Sequence, residues 1–152
     1  METKTLKDYI QMYGSFTLKH FDADGNLIET RDIKNVICNV GIAKVAGLVA
    51  GTATGGFSYM ATGTGTTAAA ATDTALLTEV LRVATTNSLV TTTVTNDTSQ
   101  FVGTFNYTAT YAITEAGIFD ASTAGNLLAH QVFAAVNVVN GDSIQITWKV
   151  QA

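Results

Sequence analysis

Apolar and polar side chains alternate along residues 143–150, and this alternation limits the possible fold more than any other feature of the chain. The apolar positions are Ile144, Ile146, Trp148 and Val150, and the polar positions are Ser143, Gln145, Thr147 and Lys149. Successive side chains of a β-strand point to opposite faces, so a period of two predicts a strand with one buried and one wet face.

A second stretch with the same period precedes this strand. Its apolar side carries Phe101, Phe105, Tyr107, Ala109, Tyr111 and Ile113, with threonine and asparagine on the other side. We therefore predict one long strand over residues 100–112 and a turn over residues 115–120. Two long stretches of period two indicate an all-β chain.

The remaining pattern completes a β-sandwich. The predicted strands cover residues 14–21, 27–33, 57–62, 80–86, 88–96, 100–112, 127–136 and 142–150. Eight short strands and one helix predict a single antiparallel sandwich over residues 14–152, of jelly-roll or immunoglobulin-like type, because spacing does not reveal strand order.

One helix is predicted over about residues 36–50. The apolar pattern is longer than a typical strand, Asn35 or Asn39 is placed to cap its start, and Gly51 stands where a C-terminal glycine belongs. The run is also rich in valine and isoleucine, so a buried strand is the alternative reading.

Composition favours association with other protein subunits. Only 13% of the residues are charged, whereas threonine occurs 26 times. A surface with few charges is poorly protected against association, which favours a homo-oligomer or a permanent partner over a free monomer. The net charge is −4, and no cluster of Lys and Arg is present that would bind a polyanion. We therefore expect no nucleic-acid partner.

The cysteine content and the hydropathy pattern indicate the cellular compartment in which the protein is expected. Cys38 is the only cysteine, which rules out an intrachain disulfide and indicates a reducing compartment. Residues 1–13 lack the apolar core of a signal peptide, and no run approaches the roughly 18 apolar residues of a membrane span. We expect neither export by a standard signal nor membrane insertion.

Two segments resemble ligand-binding loops but lack residues that the chemistry requires. The glycine-rich segment 63–67 has no lysine after its last glycine, so it fails as a phosphate loop. The segment 22–26 has the first acidic positions of a calcium hand but lacks its glycine and its bidentate glutamate. A hairpin turn is the better reading of this segment, although a weak cation site at Asp22 and Asp24 stays open.

No catalytic constellation is visible. His20 and His130 have no His, Cys or carboxylate at ligand spacing, so we predict satisfied or exposed strand histidines and no metal site. Cys38 lies within the apolar run, where a thiol is expected to be inert. Glu79 and Glu115 remain an acid–base pair of unknown separation. We predict that the chain is not an enzyme and that it binds no cofactor.

Charged residues are scarce in this chain, so Glu79, Arg82 and Glu115 are candidates for a specific structural role. Glu79 and Arg82 are three residues apart and could pair across a turn. We predict that the three side chains form a small cluster that holds the crossover over residues 63–74 onto the sandwich. If the pair forms, reversing both charges should restore the melting temperature.

Residues 1–13 are predicted to be an arm outside the sandwich. Leu6, Ile10 and Tyr13 follow one another at spacings of four and three, which would place them on one face of a short helix. We predict that these three residues bind a partner.

Several motifs together resemble a family of small structural proteins of tailed-bacteriophage virions. They are Asp24-Gly25-Asn26, Asn35-Val36, Gly63-Thr64-Gly65, Thr72-Asp73-Thr74-Ala75-Leu76 with Glu79 and Arg82, the stretch 115–120, Leu127-Leu128-Ala129 and the stretch 141–148. The resemblance spans about residues 14–150. Its motifs are turns and strand ends, which identify a fold better than a function. The resemblance implies that the chain is a capsid decoration (cement) protein or a tail or fibre component. Such proteins are often trimeric, and the resemblance gives no catalytic residues.

The first expectation is therefore a trimeric decoration protein on the outer surface of a phage head, assembled in the bacterial cytoplasm. Its partners would be the major capsid protein or other virion subunits, and residues 1–13 would order on contact with neighbouring subunits. The alternative is a tail fibre or tail-associated receptor-binding or adaptor protein that recognises glycan through Tyr59, Asn106 and Tyr107. A non-viral carbohydrate-binding sandwich is the third hypothesis.

Overall fold

The structure is a computed structural model that describes residues 11–152, and it is an antiparallel β-sandwich with one α-helix. This confirms the predicted fold class. The strands are β1 (Tyr13–Phe21), β2 (Leu27–Lys34), β3 (Val36–Ile37), β4 (Tyr59–Gly63), β5 (Glu79–Ala84), β6 (Thr86–Val90), β7 (Thr98–Asn106), β8 (Tyr111–Phe119), β9 (Leu127–Val138) and β10 (Ser143–Gln151), and the helix is α1 (Asn39–Ala50).

The described strands form two five-stranded sheets. Sheet A has the order β2-β1-β10-β7-β6, and sheet B has the order β3-β9-β8-β4-β5. Every paired neighbour runs antiparallel. The strand β10 lies at the centre of sheet A, and its four apolar residues are buried as the alternation predicts. The indole Nε1 of Trp148 donates a hydrogen bond of 2.9 Å to Asn35 Oδ1.

The predicted long strand over residues 100–112 and the predicted turn over residues 115–120 are both wrong. Strand β7 ends at Asn106, a turn follows, and β8 then runs through the supposed turn to Phe119. Gly117, which suggested a turn, lies in mid-strand, where a Cβ would come 2.7 Å from a Leu76 methyl carbon and 2.8 Å from one of Leu127. Close packing, rather than a reversal of the chain, requires this glycine.

The strand predicted over residues 88–96 is present but has the wrong bounds, because β6 covers Thr86–Val90. The Asp97 carboxylate accepts hydrogen bonds from the backbone N–H groups of Val94, Thr92 and Thr93 and so turns the chain. These bonds lower the pKa of Asp97 well below its usual value. A short acidic side chain that satisfies its own loop ends the strand early.

The helix begins three residues later than the sequence suggested. Val36 and Ile37 pair with β9 as the short strand β3, so the apolar run holds both a strand and a helix. Neither predicted asparagine caps α1, since Cys38 is the N-cap residue and makes no side-chain capping bond. Gly51 does end the helix, in the left-handed conformation with φ of 74°.

The hairpin turn between β1 and β2 is confirmed. Asp22 accepts hydrogen bonds from the backbone N–H groups of Asn26 and Asp24 and from the Asn26 side chain. The bond from the Asn26 backbone is the main cause that lowers the pKa of Asp22. Its carboxylate oxygens are therefore used by the turn itself.

Two apolar layers hold the sandwich together. The larger fills the space between the sheets. The smaller covers the outer face of sheet B and consists of Cys38, Ala61, Leu76, Phe119 and Leu127. The crossover between β4 and β5, residues 64–78, lies over this smaller layer with the start of α1, as the bond from Asn39 N–H to Ala71 O shows. Both faces of β8 are consequently buried.

Candidate docking surface

The helix α1 is apolar on nearly every side and yet is poorly covered. Lys44 and Asn39 are its only polar residues, and Gly41 is the only one of its 12 residues that is fully buried. A helix that is hydrophobic all round is normally an interior helix. Here Ile42 is 48% exposed and Val49 is 82% exposed. The sequence already shows this apolar composition, but only the structure shows that residues 11–152 leave one side of the helix exposed.

The exposed side of α1 forms one wall of an apolar cleft of about 750 Å³ at the end of the sandwich. The cleft is lined by Ile37, Ile42, Val45, Ala46, Val49, Ala50, Gln11, Met12, Tyr13 and Ala152. None of these side chains is charged. An adjoining hollow of about 460 Å³ shares Met12, Val45 and Ala152 with it and extends to Leu89 of β6. Exposed apolar patches rimmed by polar residues mark some protein interaction sites.

The structure places the three predicted partner-binding residues only in part. Leu6 and Ile10 lie outside the described residues. Tyr13 begins β1, where it pairs with Gln151, so the sandwich starts one residue earlier than predicted. Tyr13 is 60% exposed, its hydroxyl donates to the Gln11 side chain, and its ring lines the apolar cleft.

Glu115 lies at the centre of a largely buried hydrogen-bond network on the outer face of sheet B. The Glu115 side chain is fully buried and accepts hydrogen bonds from the backbone N–H groups of Thr78 at 2.9 Å and Leu77 at 3.2 Å. His130 Nε2 lies 3.2 Å from Glu115 Oε2, and His130 Nδ1 lies 2.8 Å from Asp73 Oδ2. Each ring nitrogen of His130 therefore lies within hydrogen-bond distance of a carboxyl oxygen. The network therefore ties the crossover to β8 and β9.

The pKa of Asp73 is lowered, whereas the pKa of Cys38 is raised. Burial opposes ionisation of Asp73, but the Ala70 N–H and the His130 ring lower its pKa. Burial, and then the negative charge of Asp73, raises the pKa of the Cys38 thiol to about 12. A buried thiol with so high a pKa is not a nucleophile at neutral pH.

The network also explains the glycine-rich segment after β4. A Cβ at Gly65 would lie 2.5 Å from Glu115 Oε2, and the Gly65 carbonyl accepts a bond of 2.7 Å from the Thr114 hydroxyl. This glycine allows the crossover to pack against the carboxylate. The segment is an ordered covering loop.

Glu79 and Arg82 form the predicted ion pair, but Glu115 belongs to the separate network above. Arg82 Nη2 lies 2.6 Å from Glu79 Oε1. Its guanidinium also donates to the carbonyls of Ala121 and Ala124 at 2.8 Å each, and it lies 3.8 Å from the centre of the Phe119 ring. Arg82 therefore fixes the loop that follows β8, where a cation over an aromatic face adds further attraction.

Exchanging the two charges, Glu79→Arg with Arg82→Glu, should restore less than half of the melting temperature that Arg82→Glu alone removes. The exchange rebuilds only an exposed pair worth about 0.5 kcal/mol. The carbonyl bonds and the Phe119 contact stay lost because they need the guanidinium at position 82. Thermal unfolding of the two single variants and the double variant checks this, and full recovery would show that the pair alone matters.

The other described polar side chains inside the fold are likewise satisfied. His20 Nε2 lies 3.0 Å from Asp142 Oδ2, and Lys44 Nζ lies 3.2 Å from Asp120 Oδ2. Desolvation opposes ionisation of Asp120, but bonds from Asn126 and the Lys44 charge lower its pKa. Within residues 11–152, no buried side-chain nitrogen or oxygen lacks a hydrogen-bond partner.

The three residues predicted to bind glycan do not form a shared exposed surface. Tyr107 is only 3% exposed, and its hydroxyl bonds to Thr62 at 2.8 Å, so its role as an exposed contact is wrong. Tyr59 is partly buried beside the smaller apolar layer, and Asn106 is exposed at the end of β7. Two of the three side chains are thus used for packing.

Among residues 11–152, no three His, Cys, Asp or Glu side chains are grouped so as to hold a metal ion. The helix in this range is too short to cross a bilayer. The candidate functional site is the apolar cleft beside α1, because none of its lining side chains is charged and Ile42 and Val49 are exposed within it.

Comparison with known proteins adds no relative. No family model, no curated protein and no solved structure matches this chain.

Proposed function

We propose that this chain is a structural subunit of a tailed-bacteriophage virion, specifically a capsid decoration protein that binds the outer surface of the head and stabilises it. The observation that carries the proposal is the apolar cleft beside α1, an open docking surface on a tightly packed sandwich. The motif resemblance in residues 14–150 and the scarcity of charge support the same role.

The cleft is suited to binding a protein surface. Removing apolar side chains from water stabilises a complex by about 25 cal/mol for each Å² buried. Tyr13, Ile42 and Val49 are all at least 48% exposed and line one continuous surface. The proposed partners are the major capsid protein or other virion subunits, met by a homotrimer of this chain during assembly in the host cytoplasm.

Binding to phage heads tests the proposal. The test variant is Val49→Lys, which adds a charge to the cleft at a position in the last turn of α1, where lysine suits the helix dipole. The control is Val94→Lys, at a valine that is 66% exposed and outside the cleft. Purified protein is sedimented with heads from the encoding phage that lack this subunit.

Wild-type protein and the control should sediment with the heads to the same extent. Val49→Lys should bind at least about tenfold more weakly, which corresponds to about 1.4 kcal/mol. If Val49→Lys binds as well as the wild type, the cleft is not the docking surface. If no variant binds to heads, the proposed decoration role is wrong.

A further inference from the structure

Few charged side chains are left unpaired in the described part of the chain. Among residues 11–152, Asp24 is the one carboxylate that accepts no hydrogen bond and forms no ion pair. Both arginines and Lys44 of this range pair with carboxylates. The unpaired cations are Lys19, Lys34 and Lys149. Unpaired surface charges of opposite sign attract one another when two molecules meet.

Two of the unpaired lysines border a hollow next to the apolar cleft. The register places Lys34 of β2 and Lys149 of β10 on either side of Ser15, so their backbones are about 10 Å apart. The hollow has a volume of about 610 Å³, and its lining includes both lysines, Ser15, Tyr13 and Ile37. No carboxylate is part of this lining within the described residues.

Asp97 lies behind the wall of this hollow and is used by its own loop. Its carboxylate accepts hydrogen bonds from three backbone N–H groups and from the side chains of Thr98 and Gln151, which line the hollow. It forms no ion pair with Lys34 or Lys149. Both lysines are exposed, and they are therefore available to an acidic group from outside the molecule.

The turn between β1 and β2, residues 22–26, is an acidic projection. Strand β1 runs from the hollow to this turn, so the two lie at opposite ends of sheet A. Asp24 is exposed, and a Cβ at Gly25 would meet no atom within 4 Å. Asp22 adds a second negative charge, although its carboxylate oxygens are used by the turn.

We propose that the 22–26 turn of one copy of this chain binds in the lysine-bordered hollow of a second copy, with Asp24 between Lys34 and Lys149. A narrow acidic turn and a cationic hollow are complementary in charge. The contact joins two different surfaces, and such a heterologous contact forms a closed ring when the rotation between copies closes. A threefold rotation gives a homotrimer. The helix α1 does not line the hollow and stays outside this contact.

Sedimentation velocity of the full chain over a range of protein concentrations tests the inference. The hollow variant carries Lys34→Glu with Lys149→Glu, the turn variant carries Asp24→Lys, and the combined variant carries all three changes. Lys19→Glu is the matched control, because Lys19 is also an unpaired lysine on the outer face of sheet A but does not line the hollow. Val49→Lys, in the apolar cleft, is the second control.

Wild-type protein should self-associate. The hollow variant and the turn variant should each need at least about tenfold higher concentration for the same association, because like charges then face one another. The combined variant again joins opposite charges and should associate more tightly than either parent variant. Both controls should associate as the wild type does.

Three results would each overturn the inference. They are a wild type that stays monomeric up to about 1 mM, a hollow or turn variant that associates as well as the wild type, and a combined variant no better than its parents. The assay uses no phage heads. If the expected pattern holds and head binding fails, the virion role is rejected and this contact stands.

Discussion

Glu115→Gln is expected to lower the free energy of unfolding by about 3 kcal/mol, because it leaves a buried hydrogen-bonding group without its partner. The buried Glu115 carboxylate accepts bonds from two backbone N–H groups and lies 3.2 Å from the buried His130 ring. Glutamine has one acceptor oxygen, and its NH₂ group would point at a donor. At least one buried polar group would then lose its partner.

Glu79→Gln is the matched control because it makes the same chemical change at a carboxylate that is 36% exposed. It should cost less than about 1 kcal/mol, as exposed pairs usually do. Urea unfolding measures the free energy of unfolding of both variants. Equal m-values, the slopes of that free energy against urea concentration, would show that each variant changes stability alone. A loss for Glu115→Gln no larger than that for Glu79→Gln would show that the buried network does not hold the crossover.

Gly41→Ala is expected to destabilise the chain by about 2 kcal/mol, although alanine favours a helix by about 1 kcal/mol over glycine. A Cβ at position 41 would lie 2.5 Å from Leu128 Cα and 2.8 Å from Leu127 O. These are backbone atoms of β9 that no side-chain rotation can move. The helix would have to shift away from the sheet.

The exposed neighbour Ala43 provides the control, since Ala43→Gln should change stability by less than about 0.5 kcal/mol. Thermal unfolding compares the two variants. Because α1 forms a wall of the cleft, Gly41→Ala should also weaken binding to heads. A Gly41→Ala variant as stable as the wild type would mean that α1 does not pack on β9 at this distance.

The sandwich follows from the alternation of side chains, and the structure bears that out in β10. The errors lie where packing or a local bond overrides the pattern. Gly117 indicates a turn, but it lies within a strand. The neighbouring leucine side chains approach the place that a Cβ would occupy. Asp97 ends a threonine-rich stretch that otherwise suits a strand, because its carboxylate binds three backbone N–H groups.

The buried network was not predictable from spacing. His130 is 57 residues from Asp73 and 15 from Glu115, and only the pairing of β8 with β9 and the path of the crossover bring them together. One sequence signal was available, since Glu115 is a lone charge in the apolar stretch Ala112–Phe119. The apolar helix was equally visible, but its exposure depends on how α1 sits against the sheet.

The most direct test of the proposed role is an electron cryomicroscopy map of the purified particle, combined with gel densitometry of its proteins. Decoration of the head predicts β-sandwich density on the outer shell, with the α1 end facing the capsid, and a copy number comparable to that of the major capsid protein. A few copies confined to the tail would instead assign a tail fibre or adaptor. Absence of the chain from the particle would contradict the virion role altogether.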